Sequence, residues 1–322
     1  MRKYLAVRLL QAFGVIVFVT TVTFVIVHMA PGDPVMMALR NGGSEEVRAQ
    51  QRAAFGFDKP ITTQYVLWLR SVARGELGYS YSRHQPVRDV LAVAFPRTML
   101  LSGLALVVSF VIGILTGLLQ AERPRAARDR WLGRLLLLLY SLPEFWFALM
   151  VLVLFAYKLH WFPASGLYDP VMYDYMSPGA QLVDRLKHIV LPVATLSLIS
   201  AASIARYQRG ALVAVLHSDW MRTALAKGLS WRAAVRRHAF RNALLPTVTL
   251  FGTNFAVFAA GSIYVEKVFS WPGMGFVTIQ AISDLDYALV TAGVMVMSIL
   301  VVLGALAADL AVAFVDPRVR LR

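Results

Sequence analysis

Between Arg8 and Asp33 the chain carries no formal charge, and that gap limits what it can fold into more than any other feature. At 1.5 Å per residue, residues 9–32 make a helix of roughly 36 Å, enough to cross a hydrocarbon core of about 30 Å. A cleaved secretory leader is the competing reading. Its apolar core is typically about 7–15 residues with small residues before the cut, whereas this run is longer and ends His28-Met29-Ala30-Pro31. It is expected to be a retained span.

Similar gaps follow at 98–121, 135–157, 242–265 and 287–315, the second containing Glu144 and the last free of charge as far as 308. A shorter one, 189–205, has about 17 residues, near the lower limit for a span. Its small residues, Ala194, Ser197, Ser200, Ala201, Ala202, Ser203 and Ala205, suit a helix packed among others. Gly113 and Gly117 form a GxxxG pair, read as a packing notch rather than a dimer contact. With 58% hydrophobic and only 16% charged residues over 322 positions, a soluble protein is excluded. The expectation is an all-α polytopic membrane protein with six transmembrane helices. The chain has no cysteine, hence no disulfide or thiolate metal site.

The net charge of +14 is sorted by loop. Residues 122–134 carry Arg123, Arg125, Arg128, Arg130 and Arg134 against Glu122 and Asp129. Residues 206–241 carry Arg206, Arg209, Arg222, Lys227, Arg232, Arg236, Arg237 and Arg241 against Asp219. In 158–188, by contrast, Asp169, Asp174 and Asp184 balance Lys158, Arg185 and Lys187, and in 266–286 acids outnumber the one lysine. Retention of Lys and Arg in the cytoplasm then places both termini inside, residues 1–8 and the 316–322 tail with Arg318, Arg320 and Arg322. The excess positive charge is a topology signal and not a nucleic-acid surface. Residues 33–97 form an external segment with short helices, one starting at Ser44 and ending at Gly56, the next opened by Pro60.

Residues 219–246, DWMRTALAKGLSWRAAVRRHAFRNALLP, form a basic stretch between two apolar runs. Ser218 or Asp219 is expected to cap a short helix through TALAK by accepting backbone N–H bonds, and Gly228 to end it with a positive φ. Ser230 is expected to cap a second, amphipathic helix with Arg232 and Arg236, like Arg237 and Arg241, one turn apart and Val235 and Ala239 on another face. Pro246 falls in the first turns of the next span. On composition alone this is a solvated loop that fixes topology.

Catalytic patterns are missing. There is no G-x-x-x-x-G-K-[ST], no HExxH and no G-x-S-x-G, and the histidines are scattered. No enzyme, cofactor or metal site is expected, and the chain is not expected to hydrolyse ATP itself. Carboxylates within spans are costly and often functional, so Glu144 and Asp309 test an ion-coupled secondary carrier or channel acting without an ATPase. Two isolated groups make a thin relay. Glu144, after Pro143, is read as a structural or gating part, and Asp309, near a span end, as structural.

Ala224 and Gly228, followed by Asn242-Ala243-Leu244-Leu245-Pro246, resemble the EAA signature of bacterial ABC importer permeases in the longer-spaced form of the dipeptide and oligopeptide branch. The stretches RLLQAFGVIVFVTTVTFVIVHMAPGDP, GELGYSYSRHQPVRDVL, SLPEFW and VEKVFSWPGMGFVTIQAISDLDY resemble the same branch, in order, from Arg8 to Tyr287. The resemblance implies a type I ABC importer permease fold and alternating access. It implies as partners a second homologous permease, two separate ATPase subunits, an extracytoplasmic substrate-binding protein and the lipid bilayer. The first short helix becomes a coupling helix that docks on the ATPase through Asp219, Trp220, Arg222, Thr223, Ala224, Lys227, Gly228 and Leu229, with Trp220 and Leu229 as apolar anchors. Arg222 and Thr223 stand where the signature has a glutamate and an alanine, which removes one carboxylate from that contact. The 265–287 stretch becomes a re-entrant external loop near the face of substrate delivery.

Overall fold

The computed structural model describes residues 2–31, 35, 44–216, 218–259 and 261–315; the break at 32–34 and the 316–322 tail lie outside the described residues. The helices are α1 (Arg2–Met29), α2 (Glu45–Phe55), α3 (Ile61–Ala73), α4 (Val87–Ala121), α5 (Ala127–Ser141), α6 (Glu144–Val151), α7 (Pro178–Leu216), α8 (Asp219–Ala226), α9 (Trp231–Ala234), α10 (Phe240–Ala259), α11 (Ile263–Val268), α12 (Met274–Ser283) and α13 (Tyr287–Val315). Two-residue strands β1 (Tyr79–Ser80) and β2 (Gln85–Pro86) pair antiparallel, Tyr79 opposite Pro86. Among the described residues four helices are long and apolar enough to cross a membrane, and the bent pair α5–α6 adds a fifth crossing if taken as one span.

Several helices differ in length from the charge gaps. α4 begins at Val87, eleven positions before the gap at 98, and α7 runs for 39 residues around the short gap at 189–205. The expected single span at 135–157 is broken: α5 and α6 meet at 106°. Proline explains the break, because its ring pushes the preceding residue out of the α region. Leu142 accordingly sits at ψ 135° and Pro143 at ψ 134°. Beyond α6 the chain continues as a π-helical turn, Leu152–Lys158.

Chain contacts define two compact units, Met1–Thr98 with Pro272–Val302, and Met99–Trp271 with Leu303–Arg322. In the first, Ser44 caps α2 by accepting from the Val47 N–H, and Gly56 ends it at φ 74°, as the sequence suggests. The first unit's core joins Val87, Val90, Leu91 and Ala94 of α4 to Met274 and Val277 of α12 and Leu289 and Val290 of α13. The β1–β2 hairpin is tied to the start of α13 by Asp286, which is fully buried. Its Oδ2 accepts from the Ser80 hydroxyl (2.6 Å), the Ser82 hydroxyl (2.9 Å) and the Ser82 N–H (3.1 Å), while Oδ1 accepts from the Leu289 N–H (3.1 Å). One carboxylate thus caps a helix and anchors a hairpin, which accounts for the polar GYSYS pattern.

In the second unit, Leu101, Ala148, Val151, Leu196, Val265 and Phe269 form one core cluster. The GxxxG notch faces α7 of the same chain: a Cβ at Gly113 would lie 2.7 Å from Ile204 Cβ, and one at Gly117 would lie 2.8 Å from the Ala205 carbonyl oxygen. Small residues on both helices therefore bring two backbones together inside the subunit.

Candidate functional site

The 219–246 stretch folds locally for the reasons its residues give. Gly228 takes φ 86°, a region that residues with a Cβ rarely adopt, and ends the turn after α8. Ser230 caps α9 by accepting from the Ala233 N–H at 3.4 Å. Ser218 departs from expectation. It occupies the N-cap position of α8, but its hydroxyl donates back to the Val215 carbonyl at 2.6 Å and caps nothing. Downstream of α9 the helix does not stop: a π-helical turn, Val235–Ala239, runs directly into α10, so Pro246 lies well inside a continuous helical path.

α8 is amphipathic because apolar residues three apart share a face. Met221 and Ala224 point inward, 1% and 7% exposed, into a cluster with Leu212, Leu216, Ala234, Val235, Ala239 and Ala243. Leu225 and Leu229 pack half-buried against the same cluster. The outer edge carries Asp219, Arg222, Thr223, Lys227 and Gly228, all exposed. Of the residues expected to meet a partner, Ala224 and Leu229 thus serve the chain's own core first. The side chains of Trp220, Arg237, His238, Arg241, Leu245 and Pro246 lie outside the described set. Arg222 and Asp219 approach to 3.5 Å with side chains 80% and 95% exposed, too solvated to contribute much.

What holds this surface rigid was not singled out from the sequence. Glu122, 3% exposed, sits just past the end of α4. Its Oε1 accepts from Arg236 Nε at 2.8 Å and Nη2 at 2.6 Å, its Oε2 from Arg128 Nη2 at 3.4 Å, and its backbone carbonyl from the Trp231 indole N–H at 2.8 Å. Burial by itself would raise the Glu122 carboxyl, but hydrogen bonds from Arg236 and Arg128 and their positive charge outweigh it and hold the group below the usual carboxylate range. Asp129, 4% exposed, accepts from Arg209 Nε and Nη2, both at 2.7 Å, from the Arg125 N–H at 2.8 Å and from Gln120 Nε2 at 3.2 Å. The buried Gln208 amide oxygen in α7 accepts from the Thr247 hydroxyl of α10. The signal was available: Glu122 and Asp129 are the only acids among the arginines of residues 122–134.

Among the described residues no group of three His, Asp or Glu side chains is placed to hold a metal ion. Helices long and apolar enough to cross a membrane, together with a braced, basic, amphipathic turn, mark a polytopic membrane protein. The comparisons with known proteins specify it. Residues 98–321 match the family described as binding-protein-dependent transport system inner membrane component, and residues 1–102 match its N-terminal counterpart. The chain belongs to this family and is a multi-pass inner-membrane transport permease, not an enzyme. It is similar to the oligopeptide transport system permease protein AppB of Bacillus subtilis, 32% identical over 320 residues and 99% of each chain. It is also similar to the dipeptide transport system permease protein DppB of Escherichia coli K12, 35% identical over 336 residues, and the di/tripeptide transport system permease protein DppB of Pseudomonas aeruginosa, 35% identical over 338, again across 99% of each chain.

Proposed function

We propose that this chain is one permease subunit of an ATP-driven importer of peptides, working beside a homologous second permease, two ATPase subunits and an extracytoplasmic binding protein. The names of its relatives support peptides as the substrate class. α1, α4, the α5–α6 pair, α7, α10 and α13 serve as six spans; α10, at 20 residues, is about 30 Å long. Both termini and the 122–134 and 206–241 segments face the cytoplasm, in keeping with the loop charges.

The observation that carries the coupling role is the exposed edge of α8 above a fully packed inner face. Asp219, Arg222, Thr223, Lys227 and Gly228 are free to be touched, while Met221 and Ala224 transmit displacement of α8 to α7 and α10 through a close-packed cluster. Packed side chains move as a body instead of deforming. The Glu122–Arg236 and Asp129–Arg209 pairs join the same cluster to the ends of α4 and α5. Nucleotide-driven closure of the ATPases then reaches the spans through one rigid block.

The test is uptake of a radiolabelled dipeptide into vesicles holding the complete transporter. The expected result is uptake that needs ATP and the ATPase subunits. Uptake driven by a proton gradient through this chain alone would overturn the reading in favour of a secondary carrier.

A further inference from the structure

We propose that a cavity in the second unit, at Glu144, binds a primary ammonium group such as the free amino terminus of a short peptide; the peptide part of this rests on the import reading above. The cavity has a volume of about 320 Å3 and is lined by Glu144, Ser102, Ser200, Ser262, Phe258 and Tyr264 among others. The break at Leu142–Pro143 puts Glu144 at the first position of α6, half-buried on the cavity wall.

The polar groups are arranged for a donor. The Ser262 hydroxyl donates to Glu144 Oε1 and accepts from the Val265 N–H at 3.2 Å, so it is committed in both directions. Among the described residues Glu144 makes no other hydrogen bond and no ion pair, and no Lys, Arg or His lines the cavity. Ser102 is 3% exposed, and its hydroxyl has no hydrogen-bond partner among the described residues. Ser200 is half-buried on the α7 wall.

An ammonium has three N–H donors and no acceptor, which suits the Glu144 carboxylate and the unpartnered Ser102 hydroxyl, with Ser200 on the wall beside them as a reporter position. Hydrogen bonds from a cation to a carboxylate are about twice as strong as neutral ones, and stronger again away from bulk water. An anion would meet the carboxylate with nothing to offset it. The volume lies at the low end of the roughly 300–1,000 Å3 typical of small-ligand pockets, and the remaining walls, Leu196 and Ile263 among them, are apolar. Helices broken within the membrane commonly border substrate sites in transporters for the same reason: freed polar groups face a cavity.

The chain contains no cysteine, so S200C supplies a single thiol in the cavity wall. In the assembled transporter in nanodiscs, labelling of this chain is followed by intact mass with aminoethyl and sulfonatoethyl methanethiosulfonate. The ratio of cationic to anionic labelling rates is expected to be about tenfold higher in S200C than in S200C/E144Q. Phenylalaninamide slows labelling of S200C, N-acetylphenylalaninamide does not, and E144Q abolishes the protection. Gln retains an oxygen for the Ser262 hydroxyl, so the comparison keeps the fold.

Equal rate ratios with and without Glu144, or equal protection by the acetylated amide, overturn the site. So does failure of S200C to react with either reagent in a transporter that still imports a dipeptide, because a neighbouring subunit then fills the cavity. Protection that depends on Glu144 without any dipeptide uptake leaves the ammonium site standing and removes the peptide-import reading. Dipeptide uptake without such protection does the reverse.

Discussion

Arg236 and Glu122 are 114 positions apart in the chain, and the Arg236 guanidinium grips one carboxylate oxygen through two nitrogens at 2.8 and 2.6 Å. The carboxylate is buried and the arginine is 62% exposed, so the pair reaches from the packed end of α4 to the surface beside α8 and α9. Losing one partner of a fully buried pair costs about 3–5 kcal/mol, and solvent around Arg236 reduces that. E122Q is expected to lower stability by about 1–3 kcal/mol, measured as a fall in Tm in detergent, and to lower ATP-driven uptake more than it lowers the amount of inserted protein. A double-mutant cycle with R236Q should show strong coupling; additive losses would mean that the two do not act as a pair.

Acidification should act through the same group. The folded Glu122 value is depressed, so its stabilisation is complete above the unfolded carboxylate value of about 4.3 and fades as pH falls through the lower folded value. The Tm gap between wild type and E122Q is expected to be constant down to about pH 5 and to close below about pH 4. Widening of the gap on acidification would contradict this sign.

Gly228 separates a backbone requirement from a packing one. A Cβ there would meet nothing within 4 Å, yet φ is +86° and the N–H donates to the Leu225 carbonyl at 2.9 Å. Gly228→Ala is expected to cost about 1 kcal/mol and to leave most uptake. Gly228→Pro removes the donor and forbids the φ; uptake should be abolished while the protein remains inserted. Retained ATP-coupled uptake in that variant would count against a coupling role for α8.

The GxxxG notch gives a prediction about assembly. At Gly117 an added methyl would press on a backbone carbonyl at 2.8 Å and on Gln208 Cβ at 2.9 Å, neither of which can swing away. Gly117→Ala is expected to destabilise by about 1–3 kcal/mol through overpacking. Its oligomeric mass by light scattering should be unchanged, since the notch is filled by α7; a shift in mass with no loss of Tm would indicate a contact between subunits.

Asp286 offers a test in the first unit. Asn in its place offers one acceptor oxygen instead of two, so it cannot serve both the hairpin serines and the Leu289 N–H. Asp286→Asn is expected to cost about 1–3 kcal/mol and to expose the β1–β2 hairpin to limited proteolysis, with Ser80→Ala giving a smaller effect of the same kind.

Much of the local structure was legible in the residues. The charge gaps located the long apolar helices, Ser44, Gly56, Gly228 and Ser230 marked helix ends that the structure places there, and Val235 and Ala239 lay on a face that proved buried. These features depend on a residue and its near neighbours, so the sequence carries them in full. Pro143 was visible too, but its consequence, a bend of 106°, was not, because proline is tolerated in some helices and breaks others according to what surrounds them.

In the sequence Glu122 and Asp129 stand only as the two acids set against the arginines of residues 122–134. Desolvating a lone carboxylate is so costly that exposure is the right expectation without knowledge of its partners. Only the tertiary structure brings Arg236 and Arg128 to Glu122 and Arg209 to Asp129, making burial affordable. The sequence by itself determined that this chain spans a membrane and presents a basic turn after α7. The fold decided which of its charges lie inside, because that depends on pairings between residues far apart in the chain.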